Sequence, residues 1–444
     1  MKQRVSYAQV DAEMSASLPY DAPLVPERAN AKSLVAVTLG NGLEIYDFAV
    51  YSFFSVIIGH LFFPSSNDYT SLLLAVGTFG VGFVMRPLGS MVLGSYADKH
   101  GRKSAMTMIL GLMSLGVMMV AFAPTYNQAG ILAPIVLVAG RMLQGFSAGG
   151  EVGAATSWLM EAGDKSRRGA RVSWQMTSQD GAALFGAAMG AGLSHALSEQ
   201  QLYDWGWRIP FIVGLAIMPI GLYIRRQLAE THTVTPTVSA ENPTFTLWRE
   251  HRRALLLGIL LVMKGTTTFY IIIYYMPAYM VNTLHMPAST SWWVSLTAAA
   301  LTLVVPFFGG KLADRLPQRK PILIACALGS FALIWPIFAT ILHGAPLGIT
   351  LALIAVDQIL ANISSSAFFL LILEAFPKAV RASGMAMVYA IGVTLFGGFA
   401  QLIVTWLLKV TGQPMAPAWY LMFCAVVTFG ALLAWHERKT FCDE

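Results

Sequence analysis

Charge is what this sequence lacks. Only 52 of its 444 residues are Asp, Glu, Lys or Arg, or 12%, against roughly 25% in an average soluble protein. A soluble chain of this length divides into two or three domains with charged surfaces, and there is too little charge here to cover them. Cysteine is scarce as well. Cys326, Cys424 and Cys442 are scattered, with no CxxC and no Cys/His cluster, so neither a zinc site nor a disulfide framework is supported. GFSAGG at Gly145 has no strand before it and no GK[ST] ending, so it is not a phosphate loop. No nucleophile–base pair or metal set of an enzyme appears, and no cofactor motif. Apolar residues, in contrast, make up 56% of the chain. A membrane-crossing helix needs about 20 mainly apolar residues, and the supply is enough for roughly twelve.

Apolar stretches fall at about 34–62, 70–95, 104–123, 131–160, 170–195 and 208–227, then at about 254–282, 290–312, 320–342, 347–374, 381–410 and 416–436. The expected organisation is a polar cytoplasmic tail (1–33), a six-helix bundle (34–227), a cytoplasmic linker (228–253), a second six-helix bundle (254–436) and a short tail (437–444). The first tail carries Pro19, Pro23 and Pro26 and has the composition of a disordered segment. With the N-terminus inside, the inner segments hold 24 Lys/Arg and the outer ones two, Arg208 and Lys409. That asymmetry places both termini in the cytoplasm. It also accounts for the net charge of +6 without nucleic acid as a partner.

The two halves echo each other. GSYADKHGRK at Gly94 and GKLADRLPQRK at Gly310 follow the second span of each half, with Asp98 and Asp314 216 residues apart. EAGDKSRR at Glu161 returns as EAFPKAVR at Glu374, and Leu184-Phe185-Gly186 as Leu395-Phe396-Gly397. Three matches in one order at nearly one spacing predict an all-α membrane protein of twelve transmembrane helices. These would form two parallel six-helix halves around a central site.

These loops, together with RMLQGFSAGGE in the fourth span, resemble the major facilitator superfamily. NGLEIYDFAVYSFF, VGFVMRPLGS and WGWRIPF are similar to its metabolite:proton symporters, and TTTFYIIIYYMPAY and LEAFPKAVRASG to the citrate and tricarballylate carriers. The likeness covers about 32–436. It implies a rocker-switch symporter, without cofactor, in a bacterial inner membrane. It further implies that the loop after the second span latches the inner gate. In the second copy Pro317 and Gln318 stand where the first has Gly101 and Arg102, a departure that weakens the mirror-image gate.

Eight ionisable residues stand inside spans: Glu44, Asp47, Arg86, Arg141, Glu151, Asp180, Lys264 and Asp357. Charges there are costly and face a cavity or a partner. Lys264 and Arg141, one from each half, lie near mid-membrane at 1.5 Å rise per residue. They are expected to bind a substrate anion, the simpler role being to pair with acids such as Glu151 or Asp47. Arg86 either binds a carboxylate or holds an acid at the inner gate. Glu44 and Asp47, three apart, share a helix face. Asp47 is the expected proton carrier and Glu44 its modulator, with a fixed ion pair as the alternative. Asn41, Gln144, Gln175, Gln179, Asn362, Thr266, Thr267, Thr268, Tyr270 and Tyr274 could complete the site, or could simply bond helix to helix. Tyr270 and Tyr274, four apart, are the stronger candidates.

For the gates, Gly94 allows close helix approach and Gly101 a tight turn. Asp98 can cap a helix or pair with Arg102. Glu151, Arg168, Asp314, Arg315 and Arg381 are the further charges expected there.

The resulting reading is a monomeric secondary transporter that imports a small organic anion with protons. A di- or tricarboxylate such as citrate or tricarballylate leads; α-ketoglutarate, shikimate, phthalate or betaine, and sodium coupling, are the alternatives.

Overall fold

The computed structural model describes residues 31–65, 68–226, 243–276, 279–286 and 288–437. The first tail up to residue 30, most of the linker and the last seven residues lie outside the described residues. Among those described there are helices and no strands. In chain order they are α1 (Ala31–Phe53), α2 (Ser55–Phe62), α3 (Asp68–His100), α4 (Arg102–Ala121), α5 (Leu132–Glu161), α6 (Arg168–Ala196), α7 (Arg208–Arg226), α8 (Pro243–Glu250), α9 (Arg252–Thr268), α10 (Ala288–Arg315), α11 (Lys320–Leu342), α12 (Leu347–Ile363), α13 (Ser365–Leu373), α14 (Arg381–Gly392), α15 (Ala400–Thr411) and α16 (Ala416–Ala434).

Among the described residues, seven helical segments are long and apolar enough to cross a membrane, and two bent pairs bring the number to nine. In one of these pairs α1 meets α2 at 68°. Three more long helices are α3, α6 and α10. They pack where the two halves meet: α6 on α10 and α13, and α3 with α5 on α14. Lipid-facing positions are apolar, with Ile131, Phe122, Leu402 and Val410 all more than 60% exposed. Such side chains belong against hydrocarbon and not against water.

Three apolar cores hold the helices. One is built from both halves, joining Leu93, Ala97 and Val152 to Ala382, Met385 and Val388. The second lies wholly in the first half, around Tyr51, Leu137 and Phe211. The third lies wholly in the second half, around Ile272, Phe338 and Leu421. The halves are therefore fused at one level and independent elsewhere.

Close backbone approach fixes α3 against α5. A Cβ on Gly149 would run into the Arg86 carbonyl, and one on Gly145 into that of Gly82. We expect Gly149→Val to cost at least ~2 kcal/mol through overpacking, and a thermal midpoint in detergent equal to that of the parent would refute this. Trp207 is fully buried against Phe62 and Phe211.

Candidate functional site

Two charge networks fill the first half. On α1 and α5, Asp47 accepts from Arg141 at 2.6 Å and from Gln144 at 3.2 Å, while Arg141 also donates to Gln144 Oε1 at 2.6 Å. All three are buried. One turn away, Arg86 of α3 lies 3.0 Å from Glu44. Its guanidinium sits between the rings of Phe48 and Phe83, at 4.6 and 4.5 Å from their centroids. Arg86 Nε makes no hydrogen bond among the described residues, and neither does Glu44 Oε2. The pair is neutral overall but keeps spare donors and a spare acceptor.

The second half repeats the Asp47–Arg141 arrangement with the signs exchanged. Lys264 of α9 donates to Ser330 Oγ at 2.5 Å, and Ser330 donates to Asp357 of α12. Lys264 stands 217 residues after Asp47, and Asp357 stands 216 after Arg141. An acid–base pair between the first and fourth spans becomes a base–acid pair between the seventh and tenth. Burying ions in this way is tolerable only because each has an opposite charge close by, bonded directly or through one hydroxyl.

Two cavities open between the halves. One, of about 110 Å³, brings Tyr51, Ser52 and Arg86 opposite Tyr270, Tyr274 and Gln401. Tyr270 and Tyr274 lie on a π-helical turn, Phe269–Tyr275, that continues α9. Their rings stack at 5.9 Å, and the Tyr270 ring also meets that of Phe83 edge-on at 5.8 Å. Thr394 of the second half donates to the Phe83 carbonyl at 2.8 Å. The larger cavity, about 220 Å³, has Gln179 and Asp180 on its α6 wall, facing Lys264, Thr266, Asn362 and Tyr389.

Several expected site residues do other work. Asn41 donates to the Gln175 carbonyl at 3.1 Å and accepts from Gln179 at 2.9 Å, joining α1 to α6. Thr267 donates to the carbonyls of Met263 and Lys264 within its own helix. Asn362 lines the larger cavity while its amide donates to the Gln358 carbonyl. Thr268 and Gln175 are buried within the helices.

One end of the molecule is latched. The Asp98 carboxylate accepts from the backbone N–H of Ala382 at 3.2 Å and of Ser383 at 2.8 Å, and from the Ser383 hydroxyl at 2.5 Å. It thereby caps α14 of the opposite half. Arg102 pairs with Asp98, donates to the Lys378 carbonyl at 2.9 Å and reaches Glu161 at 3.5 Å. Glu161 also accepts from Arg381 at 3.0 Å. Asp314 does the reciprocal job, accepting from the N–H of Gly169 at 2.5 Å and of Ala170 at 2.9 Å at the start of α6. Gly101 has φ +98°, a value that demands glycine. Gly94 abuts the Ser383 backbone.

Two gate assignments change. Arg315 is exposed, and it is Arg319 that reaches Glu374 at 3.6 Å and donates to the carbonyls of Ala313 and Leu316. Glu151 lies beside Glu44 among Ile109, Met113 and Ser147, away from the latch. In its place Glu161 joins the latch, between Arg102 and Arg381. The repeat EAGDKSRR/EAFPKAVR already pointed to it. Arg168 begins α6 at the latched end.

Two helical halves, joined by reciprocal caps at one end and enclosing paired charges and two cavities, define a membrane transport protein. The chain matches the model of the Major Facilitator Superfamily over residues 37–400. A citrate-proton symporter of Klebsiella pneumoniae is 34% identical over 400 residues, 90% of this chain and 90% of that one. An alpha-ketoglutarate permease of Escherichia coli (strain K12) is 34% identical over 409 residues, 91% and 94% of the two chains. The solved proton:xylose symporter bound to 6-bromo-6-deoxy-D-glucose superposes with a TM-score of 0.74 at 17% identity, covering 90% of this chain and 94% of the other, a likeness of fold alone. The chain belongs to the Major Facilitator Superfamily. It is a multi-pass membrane transporter and not an enzyme.

Proposed function

We propose that the protein imports a small organic di- or tricarboxylate, citrate or a close analogue, together with protons. Bundles 34–227 and 254–436 would rock about the central cavities to give alternating access. What carries the reading is Arg86. It is buried on the wall of a cavity shared by both halves, with an N–H that no described residue satisfies and two tyrosine rings opposite. A guanidinium so placed can take a carboxylate, and the tyrosine hydroxyls can serve its other oxygens or a substrate hydroxyl. Lys264 supplies a second cation from the other half, and a substrate carboxylate would compete with the Ser330–Asp357 relay for it. The names of the 34% identical relatives support the same class.

Anion entry is opposed by the membrane potential at about 2.3 kcal/mol per charge per 100 mV, so uptake requires accompanying cations. In this reading the Asp47–Arg141 pair carries one proton. The latched end is the cytoplasmic one, in keeping with its lysines and arginines, and the host membrane is a bacterial inner membrane holding the protein as a monomer. A quaternary ammonium such as betaine would need free aromatic faces, and those of Phe48 and Phe83 are already occupied by Arg86.

Uptake of radiolabelled citrate into proteoliposomes, under an imposed pH gradient and without sodium, tests the reading. Unlabelled tricarballylate, α-ketoglutarate, phthalate and betaine serve as competitors. Arg86→Ala should raise KM by roughly 10- to 100-fold, the value of one or two hydrogen bonds to a charged group at about 1.5–3 kcal/mol each. Transport of another of these compounds in place of citrate would overturn the substrate assignment, and strict sodium dependence would overturn the proton.

A further inference from the structure

Helix α8 lies at the end of the linker and packs on both halves of the molecule. It touches α3 of the first half, and α9, α14 and the turn Lys378–Val380 of the second. Leu247 is fully buried, in the core that the two halves share. Thr244, three residues earlier and so on the same face, is hydrogen-bonded to the Ser95 hydroxyl at 2.8 Å and donates to the Met91 carbonyl at 3.2 Å. Phe245 and Trp248, also three apart, form a second face and are 59% and 41% exposed. Thr246 and Glu250 make a third. The Arg249 guanidinium sits over the Phe245 ring at 5.8 Å and pairs with Glu250 at 2.7 Å. Aromatic residues and an arginine on one outer face, with polar residues on the next, form the pattern of a helix lying in the membrane–water interface.

Where α8 ends, the surface is concave. A cavity of about 400 Å³ lies between the start of α9 and the end of α16, lined by His251, Arg253, Leu257, Trp435 and His436, and by Glu250. Arg253 donates to the Ala434 carbonyl at 3.1 Å and comes within 3.5 Å of His436 Nδ1. The bond to the end of α16 holds the guanidinium at the cavity wall. The His251 ring meets that of Phe376 edge-on at 6.2 Å. Glu250 is answered by Arg249, which leaves Arg252 and Arg253 as the surplus charge of the stretch 249–253. On the two helices that frame the cavity, Leu256 and Leu433 are more than half exposed, as side chains against hydrocarbon are. A basic hollow bordered by exposed leucines suits a molecule with an anionic head and apolar chains better than a free anion.

We propose that this corner binds an anionic phospholipid of the inner leaflet. The phosphodiester enters the cavity, where Arg253 and the two histidines can donate to its oxygens. The acyl chains run past Leu256 and Leu433, and α8 rests Phe245 and Trp248 among the neighbouring headgroups. The choice of leaflet rests on the cytoplasmic placement of the latched end proposed above, whereas the site itself is independent of the substrate. Because α8 is seated on both halves, a lipid that holds its aromatic face also braces the latch.

The test uses the full chain in detergent, with short-chain lipids added and thermal unfolding followed, since a ligand of the folded state raises the midpoint as its concentration rises. Dioctanoyl phosphatidylglycerol should raise it saturably. Dioctanoyl phosphatidylcholine has the same chains without the net charge, and inorganic phosphate has the charge without the chains; neither should match it. Arg252→Gln with Arg253→Gln should weaken the affinity for phosphatidylglycerol by roughly 25-fold, at about fivefold per basic group beside an anionic lipid. Arg252 is exposed, so Arg252→Gln alone keeps the fold should loss of the Arg253 cap not, and a fivefold loss is expected of it. In vesicles containing phosphatidylglycerol, spin labels are placed in a Cys442→Ala background, Cys326 and Cys424 being buried. A label at Phe245→Cys should be reached by oxygen more than by a water-soluble nickel complex, and one at Thr246→Cys the reverse. An equal response to phosphatidylcholine, displacement of the lipid by inorganic phosphate, an affinity unchanged in the arginine variants, or a label at Phe245→Cys as wet as that at Thr246→Cys each overturns the proposal. None of these measurements uses a transported substrate, so failure of the lipid site and failure of the citrate reading are separate results.

Discussion

Arg141→Ala is expected to cost the protein about 3–5 kcal/mol of stability, the price of leaving a buried carboxylate without its counter-charge. The argument is one of geometry. Arg141 is fully buried and its guanidinium touches four side chains at once: Asp47 and Gln144 through hydrogen bonds, and the rings of Phe48 and Tyr51 at 4.6 and 4.3 Å. Alanine removes all of them and leaves Asp47 with only the 3.2 Å donation from Gln144. Transport should fall by at least roughly 100-fold, because the loss of even 2.7 kcal/mol in one state of a cycle is a hundredfold in its population. The double variant Asp47→Asn with Arg141→Gln removes both charges together. It should recover most of the stability, since a buried ion pair is worth little against neutral residues of similar volume, but it should recover no proton-driven uptake. Thermal unfolding in detergent, set beside uptake in proteoliposomes, separates the two effects. If the single and double variants proved equally unstable, the ion-pair account would be wrong.

How much of this was legible beforehand follows from the physics of each feature. The spans were legible because the bilayer imposes about 20 apolar residues on every crossing. The apolar runs at 104–123, 320–342 and 416–436 accordingly meet helices Arg102–Ala121, Lys320–Leu342 and Ala416–Ala434. The latch was legible through Asp98 and Asp314, because a capping carboxylate must keep both its residue type and its place in the loop.

Partners were harder to read. A helix turns 100° per residue, so a small error in rotation moves a side chain to another neighbour. Of the two roles open to Asn41, substrate ligand or helix-to-helix bond, the structure has it joining α1 to α6. Arg319, and not Arg315, reaches Glu374. Ser330 carries no signal in sequence, since a hydroxyl in a membrane helix usually bonds to its own backbone. The sign-reversed pair Lys264–Asp357 escaped the search for repeats for a simpler reason: a comparison of like with like cannot find an aspartate answered by a lysine. The bend between α1 and α2 falls at Phe53–Phe54–Ser55, with neither proline nor glycine to announce it.

The two capping aspartates should not be equivalent, and this gives the second large effect. Asp98→Asn keeps the shape of the cap but removes its charge. The charged hydrogen bonds to two N–H groups and a hydroxyl weaken, as does the pairing with Arg102, which itself ties Glu161 and the Lys378 carbonyl into the latch. Charge-assisted bonds are worth about 1.5–3 kcal/mol and the dipole at a helix start up to ~2 kcal/mol. A loss of about 3 kcal/mol for the closed state would shift the closed-to-open ratio by more than a hundredfold. Asp314 caps α6 through two N–H groups, but at the position matching Arg102 it has Gln318. Its asparagine variant has no such ion pair to lose, and the shift should be nearer tenfold, for about 1.4 kcal/mol. Spin labels at Lys99→Cys and Arg315→Cys, both exposed and one on each half, would report the separation across the latched end. The wild type should give one short distance. Asp98→Asn should give mostly a longer one and Asp314→Asn a mixture of the two. Equal distributions for the two variants would mean that the arginine network adds nothing to the cap, and that the latch is held by the helix starts alone.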